Sequence, residues 1–306
     1  MTDTYDLITG KIIEKMQDGN IPWQKPWSSI GYNFTLPNNA ITGNQYRGVN
    51  IPWLWLSADE KGYDTNEWAS LKQWNEQSES IYKGEKGTIV VYYGTFEKEV
   101  DEQDKKIIPF LKSSYVFNRC QLKGYEPKPQ PEKKNLVEVI PSVKEFVRNT
   151  HAIVKHDGNG RAFYSRADDT IHMPLPELFI DTKNQTASEG YYATVLHEGS
   201  HWTGPEKRLN RQFGKRFGDK AYAFEELIAE QGSAFLCCDL GITDGPKDNH
   251  AAYIQNWIQI LKEDKRAIFT AASEASKACD FLHALQNKQE LTGKVVAMQG
   301  YGLRPV

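Results

Sequence analysis

The sequence predicts an α+β protein of two domains. Three features lead to this prediction: the length of 306 residues, a break in composition near residue 126, and strand patterns that precede helix patterns in the second half. A chain of this length exceeds the usual size of a single domain. With 39% hydrophobic and 25% charged residues, the composition is that of a globular protein. We therefore expect domains at residues 1–126 and 141–306, joined by a linker at 127–140.

The linker region is rich in proline and charge. Residues 125–135 read YEPKPQPEKKN, and each proline disfavours a helical conformation at the residue before it. Such a segment is typical of an extended connection. Six of the eight tryptophans precede it, which indicates that the two halves differ in architecture.

Local patterns predict the elements of each half. In the first half, we expect helices at residues 5–18, 52–61 and 67–77, and paired strands at 88–93 and 114–118. The polar stretch 97–106 predicts the tip of the hairpin between these strands. In the second half, we expect a helix at 142–149 and strands at 152–155, 162–165 and 170–173. Helices follow from residue 188 onward, at 222–239, at 249–262 and at 270–286.

The strongest chemical signal is the run TVLHEGSHWTG at residues 194–204. His197 and His201 are four residues apart, so on a helix they lie on one face and can give two imidazoles to a single cation. Glu198 need not bind the ion, because it can take a proton from a water molecule and pass it to a leaving amine. The motif therefore predicts a metallopeptidase-like centre.

A catalytic zinc usually has a third protein ligand. Lys207 stands where one common arrangement has a third histidine, which excludes that version. The downstream helix pattern offers Glu225, Glu226 and Glu230 instead. In glutamate-type zinc proteases the ligand comes first, and an acidic residue four positions later holds a ligand histidine. We therefore assign Glu226 as the ligand and Glu230 as the residue behind the histidine, with Glu225 as an alternative. Zn²⁺ is the expected ion, although such donor sets also accept Mn²⁺.

The first half interleaves aromatic rings with cations, as in PWQKPW (22–27), YRGVN (46–50) and KGEKG (83–87). This mixture suits single-stranded DNA, because bases stack on rings and cations contact phosphates. The net charge of −3 shows no overall basic field, and packing of the rings in a core is an alternative. The candidate DNA-binding residues are Trp23, Lys25, Trp27, Tyr46, Arg47, Asn50, Lys83 and Lys86.

In order and spacing, these motifs resemble those of ArdC-type antirestriction proteins, which plasmids and other mobile elements carry. The similarity extends to VFNRCQ (116–121) and RLNR (208–211), and it covers nearly the whole chain. It implies an N-terminal domain that binds single-stranded DNA and a C-terminal zincin-like metallopeptidase domain. It also implies metal ligands at His197, His201 and Glu226, a general base at Glu198, and protection of incoming DNA from host restriction during conjugation.

Three functions remain open at this point. The protein is an active zinc protease that DNA brings near its targets, a DNA-binding protector with a structural or vestigial metal site, or a metallohydrolase unrelated to nucleic acid. The start of the chain lacks the layout of a signal peptide, and no run of about 18 apolar residues occurs. The four cysteines form no Cys-x-x-Cys motif. We therefore expect a cytoplasmic protein without a membrane partner.

Overall fold

A computed structural model describes residues 3–24, 35–101, 104–127, 136–157, 160–183, 185–211, 220–243 and 250–286. The first half contains α1 (Thr4–Gln17), β1 (Asn38–Asn39), α2 (Asn50–Lys61), β2 (Glu67–Ser70), α3 (Leu71–Glu76), β3 (Thr88–Asp101) and β4 (Asp104–Asn118). The second half contains α4 (Leu136–Asn149), β5 (Ile153–His156), β6 (Phe163–Ser165), β7 (Thr170–Met173), α5 (Ala187–Trp202), α6 (Lys220–Leu240), α7 (His250–Glu263) and α8 (Ala267–Ala284). The predicted α+β class is confirmed. Within these ranges, no helix is long and apolar enough to cross a membrane.

The first sheet has the strand order β1-β2-β4-β3, and its largest part is the antiparallel hairpin of β3 and β4. The predicted pairing of these strands is confirmed. The prediction of a hairpin tip at residues 97–106 is wrong, because β3 runs to Asp101 and β4 starts at Asp104. A strand ladder is made by backbone groups, so polar residues such as Glu97, paired with Ile107, continue it.

The open edge of β3 is covered by α2. The side-chain amide of Asn50 donates to the carbonyl of Val91 at 2.8 Å and accepts from its N–H at 2.9 Å. The Trp53 indole donates to the carbonyl of Ile89 at 2.7 Å. These bonds satisfy edge groups that would otherwise be open to another strand. They also correct the assignment of Asn50 as a DNA contact, because its amide is buried and used within the fold.

The helix predicted at residues 67–77 is only partly right. Glu67–Ser70 forms strand β2, in which Trp68 is paired with Asn118 and fully buried. Helix α3 follows, and Ser70 begins it: the Ser70 hydroxyl accepts from the Gln73 N–H at 3.2 Å, and the Gln73 side chain accepts from the Ser70 N–H at 3.0 Å. This capping box marks the true start of the helix.

The second sheet has the order β5-β7-β6, with β7 parallel to β5 and antiparallel to β6. Helix α4 precedes it and starts at Leu136, inside the segment predicted as a linker, so that prediction is wrong for residues 136–140. The prolines that predicted an extended chain all lie before Leu136. The apolar residues Val143 and Phe146 pack into the core, and burial of this face stabilises the helix. Residues 128–135 of the predicted linker lie outside the described residues.

One hydrophobic core joins the two halves of the chain. It combines apolar residues of α1 and α2 with residues of α6, α7 and α8, among them Ile8, Ile12, Met16, Trp53, Trp55, Leu227, Ile228, Trp257 and Ile268. Trp55 meets Phe235 edge to face, with ring centroids 5.8 Å apart. Smaller apolar clusters lie within one half alone, around Leu54 and Trp68 in the first half and around Val143 and Leu196 in the second, so the shared core adds to contacts that each half makes by itself. The boundaries of the two domains remain a prediction.

Candidate metal centre

The two motif histidines lie on α5. A capping box begins this helix, in which the Thr186 hydroxyl accepts from the Glu189 N–H at 3.2 Å and the Glu189 carboxylate accepts from the Thr186 N–H at 3.0 Å. Helical periodicity then places His197 and His201 on one face, with ring centroids 5.0 Å apart. Both histidines are buried.

Helix α6 packs closely against α5 and brings its glutamates to this face. A Cβ atom at Gly232 would lie 2.6 Å from the hydroxyl of Ser200, so only glycine permits this approach. Beside it, the Ser233 hydroxyl donates to the carbonyl of Ala193 at 3.1 Å. The sequence thus uses two small residues to set the spacing between the helices.

Three donor groups converge between the helices. Nε2 of His197 lies 3.6 Å from Oε2 of Glu226, and Nε2 of His201 lies 3.4 Å from Oε1. One donor atom from each of the three residues lies within 4.8 Å of the others. Ligands about 2.1 Å from a tetrahedral ion stand about 3.4 Å apart, so these separations fit a divalent cation. The structure therefore brings His197, His201 and Glu226 together, as their assigned roles require.

The other nitrogen of each imidazole faces a second glutamate. Nδ1 of His197 lies 3.3 Å from Oε1 of Glu230, and Nδ1 of His201 lies 3.3 Å from Oε1 of Glu225. Such partners fix the ring orientation and direct Nε2 toward an ion. Glu230 thus stands where it was expected. Glu225, considered from the sequence only as an alternative ligand, instead supports the second histidine.

The centre carries an excess of buried negative charge. Glu198, Glu225, Glu226 and Glu230 are each less than 9% exposed, and the one buried guanidinium among the described groups beside them, that of Arg211, pairs with Glu225. A buried carboxylate without a compensating charge is costly. This imbalance among the described residues is the physical reason for a cation at this position.

Burial and charge shift the ionisation of these groups in opposite directions. Burial alone would lower the pKa of His201, but the carboxylates of Glu226 and Glu225 raise it well above its usual value. Burial alone would raise the pKa of Glu226, but the two histidines hold it well below its usual range. The centre therefore attracts positive charge, which a proton or a metal ion can supply.

Glu198 and a tyrosine complete the chemical groups of the centre. Glu198 directly follows His197 on α5 and is 6% exposed, and its charge contributes to the raised pKa of His201. Burial, the charge of Glu226 and a hydrogen bond to Glu226 raise the pKa of Tyr222, which stays protonated as a donor. The Tyr222 ring stacks on Tyr253. No sequence motif pointed to either tyrosine.

The candidate DNA-binding residues differ in exposure, and the aromatic ones that the structure describes are largely buried. Trp23 is fully buried, with its ring centroid 6.2 Å from that of Trp257, so its assignment as a base-stacking residue is corrected. Tyr46 is half-buried against Leu54 and Trp68, and burial raises its pKa to about 12. A tyrosine packed in this way offers little ring face to a base.

The cationic candidates are on the surface. Arg47 is half-exposed and forms an ion pair with Asp280 of α8. Lys83 and Lys86 are exposed in the loop before β3. Their roles in DNA binding remain predictions. Lys25 and Trp27 lie outside the described residues.

The sequence analysis did not identify two exposed tyrosine rings near these lysines. Tyr115 of β4 is 62% exposed, and Tyr82 in the lysine loop is 51% exposed. A Cβ atom at Gly87 would lie only 3.1 Å from Cβ of Tyr115, so the loop that carries Lys86 runs directly against that residue. We call the group formed by Tyr82, Lys83, Lys86 and Tyr115 the lysine–tyrosine surface. The alternation of β4 did not reveal it, because Tyr115 is as suited to a core strand as to an open face.

Comparisons with known proteins agree with the order of domains. Residues 2–117 match the family model described as the N-terminal domain of anti-restriction factor ArdC, and residues 141–274 match that of a zincin-like metallopeptidase. The uncharacterized protein y4eC of Sinorhizobium fredii is 34% identical over 294 residues, which span 94% of this chain and 93% of y4eC. The DNA primase TraC of Escherichia coli is 34% identical over 303 residues, but the match spans only 20% of TraC.

Two crystal structures of the antirestriction protein ArdC from plasmid R388 share the fold. The metal-free form has a TM-score of 0.74 at 41% identity, covering 92% of this chain and 97% of ArdC. The Mn(II)-bound form has a TM-score of 0.75 at 39% identity, covering 94% and 100%. That relative therefore binds a divalent ion, and the donor set described above suits such an ion. By sequence, domain order and fold, this chain belongs to the ArdC antirestriction family, with an ArdC-type N-terminal domain followed by a zincin-like metallopeptidase domain.

Proposed function

We propose that this protein is a divalent-metal-dependent peptidase whose N-terminal domain binds single-stranded DNA, and that it protects incoming DNA. The observation that carries the first part is the convergence of His197, His201 and Glu226 at ligand spacing, with a carboxylate behind each imidazole. Zn²⁺ is the ion we propose, because the set of two imidazoles and one carboxylate is that of catalytic zinc sites. Mn²⁺ is the alternative, since such donors accept several ions.

The proposed chemistry assigns a role to each group. A divalent ion, when bound, supplies Lewis-acid polarisation of a scissile carbonyl. Glu198 takes a proton from the attacking water and delivers it to the leaving amine. Glu230 and Glu225 hold the imidazoles in orientation. The protonated phenol of Tyr222 is available to donate to Glu226 or to an oxygen of the substrate.

The decisive experiment compares Glu198→Gln with Glu206→Gln, a change at an exposed glutamate after α5. Full-length proteins loaded with Zn²⁺ or Mn²⁺ are incubated with an unfolded protein such as casein, with and without single-stranded DNA. We expect wild-type and Glu206→Gln proteins to cleave it and Glu198→Gln to bind the ion without cleaving, with a loss of at least about a hundredfold. Equal cleavage by all three, or none by the wild type with either ion, would contradict a peptidase.

The second part of the proposal rests on the lysine–tyrosine surface. Exposed rings beside two lysines suit a single strand, whose bases stack on the rings while phosphates contact the ammonium groups. Titration of labelled single-stranded and double-stranded oligonucleotides with the full-length protein tests this part. We expect tighter binding to the single strand that weakens as salt rises. If the protein binds neither at low salt, the function is that of a metallopeptidase unrelated to nucleic acid.

If DNA is bound and protected while Glu198→Gln behaves as the wild type does, the protein is instead a DNA-binding protector. The buried metal centre would then serve the stability of the fold alone. This alternative keeps the same ligands but gives Glu198 no chemical role, so the two hypotheses differ at that one residue.

A further inference from the structure

The metal centre contains a residue from the N-terminal half of the chain. The side-chain amide of Gln24 donates to Oε2 of Glu230 at 3.0 Å. The other oxygen of the same carboxylate, Oε1, lies 3.3 Å from Nδ1 of His197. Because Gln24 and His197 occupy different oxygens, the amide holds the plane of the carboxylate without competing with the imidazole for its acceptor.

The backbone around Gln24 is fixed to the helices that form the centre. Trp23 is fully buried against Trp257, and the Trp257 indole donates to the carbonyl of Ala223 on α6 at 2.9 Å. A hydrogen bond of 3.0 Å from the Gln24 N–H to the carbonyl of Ile21 closes a turn. The buried tryptophan therefore anchors the segment and places the amide of Gln24 toward α6.

We propose that Gln24 is a positioning residue of the metal centre: by holding Glu230 it fixes the imidazole of His197, so the N-terminal half contributes to metal affinity. The proposal rests on the proposed metal-dependent function. A neutral amide suits this position, because it stabilises the carboxylate without removing the negative charge that makes the imidazole a better ligand. Loss of a partner that contacts a ligand directly typically costs about 10- to 100-fold in metal affinity, so for Gln24, which acts through Glu230, we expect an effect at the lower end of that range.

Gln45 offers a matched control. Its side-chain amide also crosses between the halves and donates to a carboxylate of α6, that of Asp239, at 3.4 Å. Asp239 lies nine residues after Glu230, near the end of the same helix, where it pairs with His283 at 3.1 Å. A change at Gln45 therefore removes a bond of the same kind from the same pair of halves, at a place away from the ligand histidines.

The experiment measures Zn²⁺ and Mn²⁺ affinity of full-length wild type, Gln24→Met and Gln45→Met by competition with a chelating dye. Methionine keeps the length of the side chain and removes the amide. We expect Gln24→Met to lose about tenfold or more in affinity, and Gln45→Met to stay within about twofold of the wild type. The Co²⁺-loaded proteins provide a second readout, since the visible absorption of Co²⁺ reports the geometry of its ligands. The spectrum should change in Gln24→Met only.

Three outcomes would overturn this inference while leaving the proposed function intact. Equal affinities and spectra for wild type and Gln24→Met would show that Gln24 does not position the ligand. An equal loss in both variants would show that any contact between the halves has the same effect. A loss in Gln24→Met that accompanies unfolding of the metal-free protein, measured by circular dichroism, would assign Gln24 a structural role. A wild-type protein that binds neither ion would overturn the proposed function itself, and this inference with it.

Discussion

Arg211 binds Glu225 through two hydrogen bonds, from Nε to Oε2 at 3.1 Å and from a terminal nitrogen to Oε1 at 2.7 Å, and both side chains are only 4% exposed. Arg211 also donates to the hydroxyl of Thr203 and to the carbonyl of Ser200, both at 2.7 Å. One guanidinium thus joins the C-terminal end of α5 to α6. Because Glu225 faces His201, the ion pair of Arg211 and Glu225 fixes the position of α6 relative to α5, the helix that carries the ligand histidines.

Replacement of Arg211 by methionine should therefore strongly destabilise the protein. The change leaves Glu225 buried without its cation, which costs about 3–5 kcal/mol in comparable cases. Urea denaturation of the metal-free protein measures the loss. The double variant Arg211→Met/Glu225→Met, which removes both charges, should recover part of it. A loss below about 1 kcal/mol in the single variant would show that this ion pair is not what joins the helices.

Removal of the metal should lower stability in a way that depends on the ligand histidines. A ligand present at a hundred times its dissociation constant adds about 2.7 kcal/mol to the free energy of unfolding. We expect a chelator to lower the Tm of the wild type and to leave that of His197→Ala unchanged. His283→Ala serves as control, because His283 pairs with Asp239 on the far part of α6 and should retain the response. A chelator response in His197→Ala would place the ion elsewhere.

Gly199 on α5 and Gly232 on α6 should respond in opposite directions to replacement by alanine. At Gly232 the new Cβ would lie 2.6 Å from the hydroxyl of Ser200, so we expect a loss of about 1–3 kcal/mol. At Gly199 nothing lies within 4 Å, so alanine should gain up to about 1 kcal/mol from its helix propensity. Chemical denaturation of both variants tests the pair. Similar values would show that α5 and α6 can separate without cost.

The turn before β7 should make stability depend on acid pH. Partial burial by itself would raise the pKa of Asp169, but hydrogen bonds from Arg208, Lys207 and Tyr164 outweigh it and hold the pKa well below its usual range. A carboxyl with a depressed folded pKa stabilises the protein above its unfolded pKa of about 3.9 and loses this contribution as pH falls toward the folded pKa.

Asp169→Asn removes this contribution and suits the backbone, because φ is +55° and asparagine tolerates that region. We expect the variant to be less stable than the wild type at pH 7 and the difference to shrink steadily below about pH 4. Denaturant titrations at several pH values measure the free energy of unfolding of both proteins. A difference that is constant with pH would show that the charge of Asp169 contributes nothing.

The lysine–tyrosine surface should govern the salt dependence of DNA binding. Replacement of Lys83 and Lys86 by alanine should weaken single-strand binding and reduce the salt slope by about 0.7 for each phosphate that the variant no longer neutralises. Tyr115→Ala should weaken binding by about 1–3 kcal/mol and leave the slope unchanged, because stacking releases no counterions. Lys277→Ala, on α8, is the control. If Lys277→Ala has the same effect as the loop lysines, the binding surface lies elsewhere.

Most of the secondary structure could be predicted from sequence, because helix and strand periodicities are local. The strand at 170–173 has the predicted bounds, and the motif helix begins one residue before the predicted start. The secondary-structure predictions were wrong where contacts with a distant part of the chain outweighed the local sequence pattern. Residues 67–70 have a composition compatible with a helix, but they form a strand because they pair with β4. Residues 136–140 form the first turns of α4, and this helix is stabilised because its apolar face packs into the core. Neither partner is visible in a short window of sequence.

The candidate site shows the same division. The spacing of His197 and His201 follows from 3.6 residues per helical turn, so the sequence alone could place two ligands on one face. The proximity of Glu226 came from analogy with glutamate-type sites, since no local rule sets the distance between two helices. The assignments of Trp23 and Asn50 as DNA contacts were wrong because the identity of a residue does not show whether its side chain is buried or exposed, and both side chains are buried.

Local periodicity and composition were thus enough for the α+β class, the metal motif and the presence of an aromatic N-terminal half. Tertiary structure alone decided that the two halves share a core, that Arg211 holds Glu225, and that Gln24 reaches a glutamate 206 residues away. The physical reason is the sequence separation over which each interaction works. The periodicity of helices and strands is set by residues a few positions apart, whereas burial of apolar faces brings together residues from anywhere in the chain.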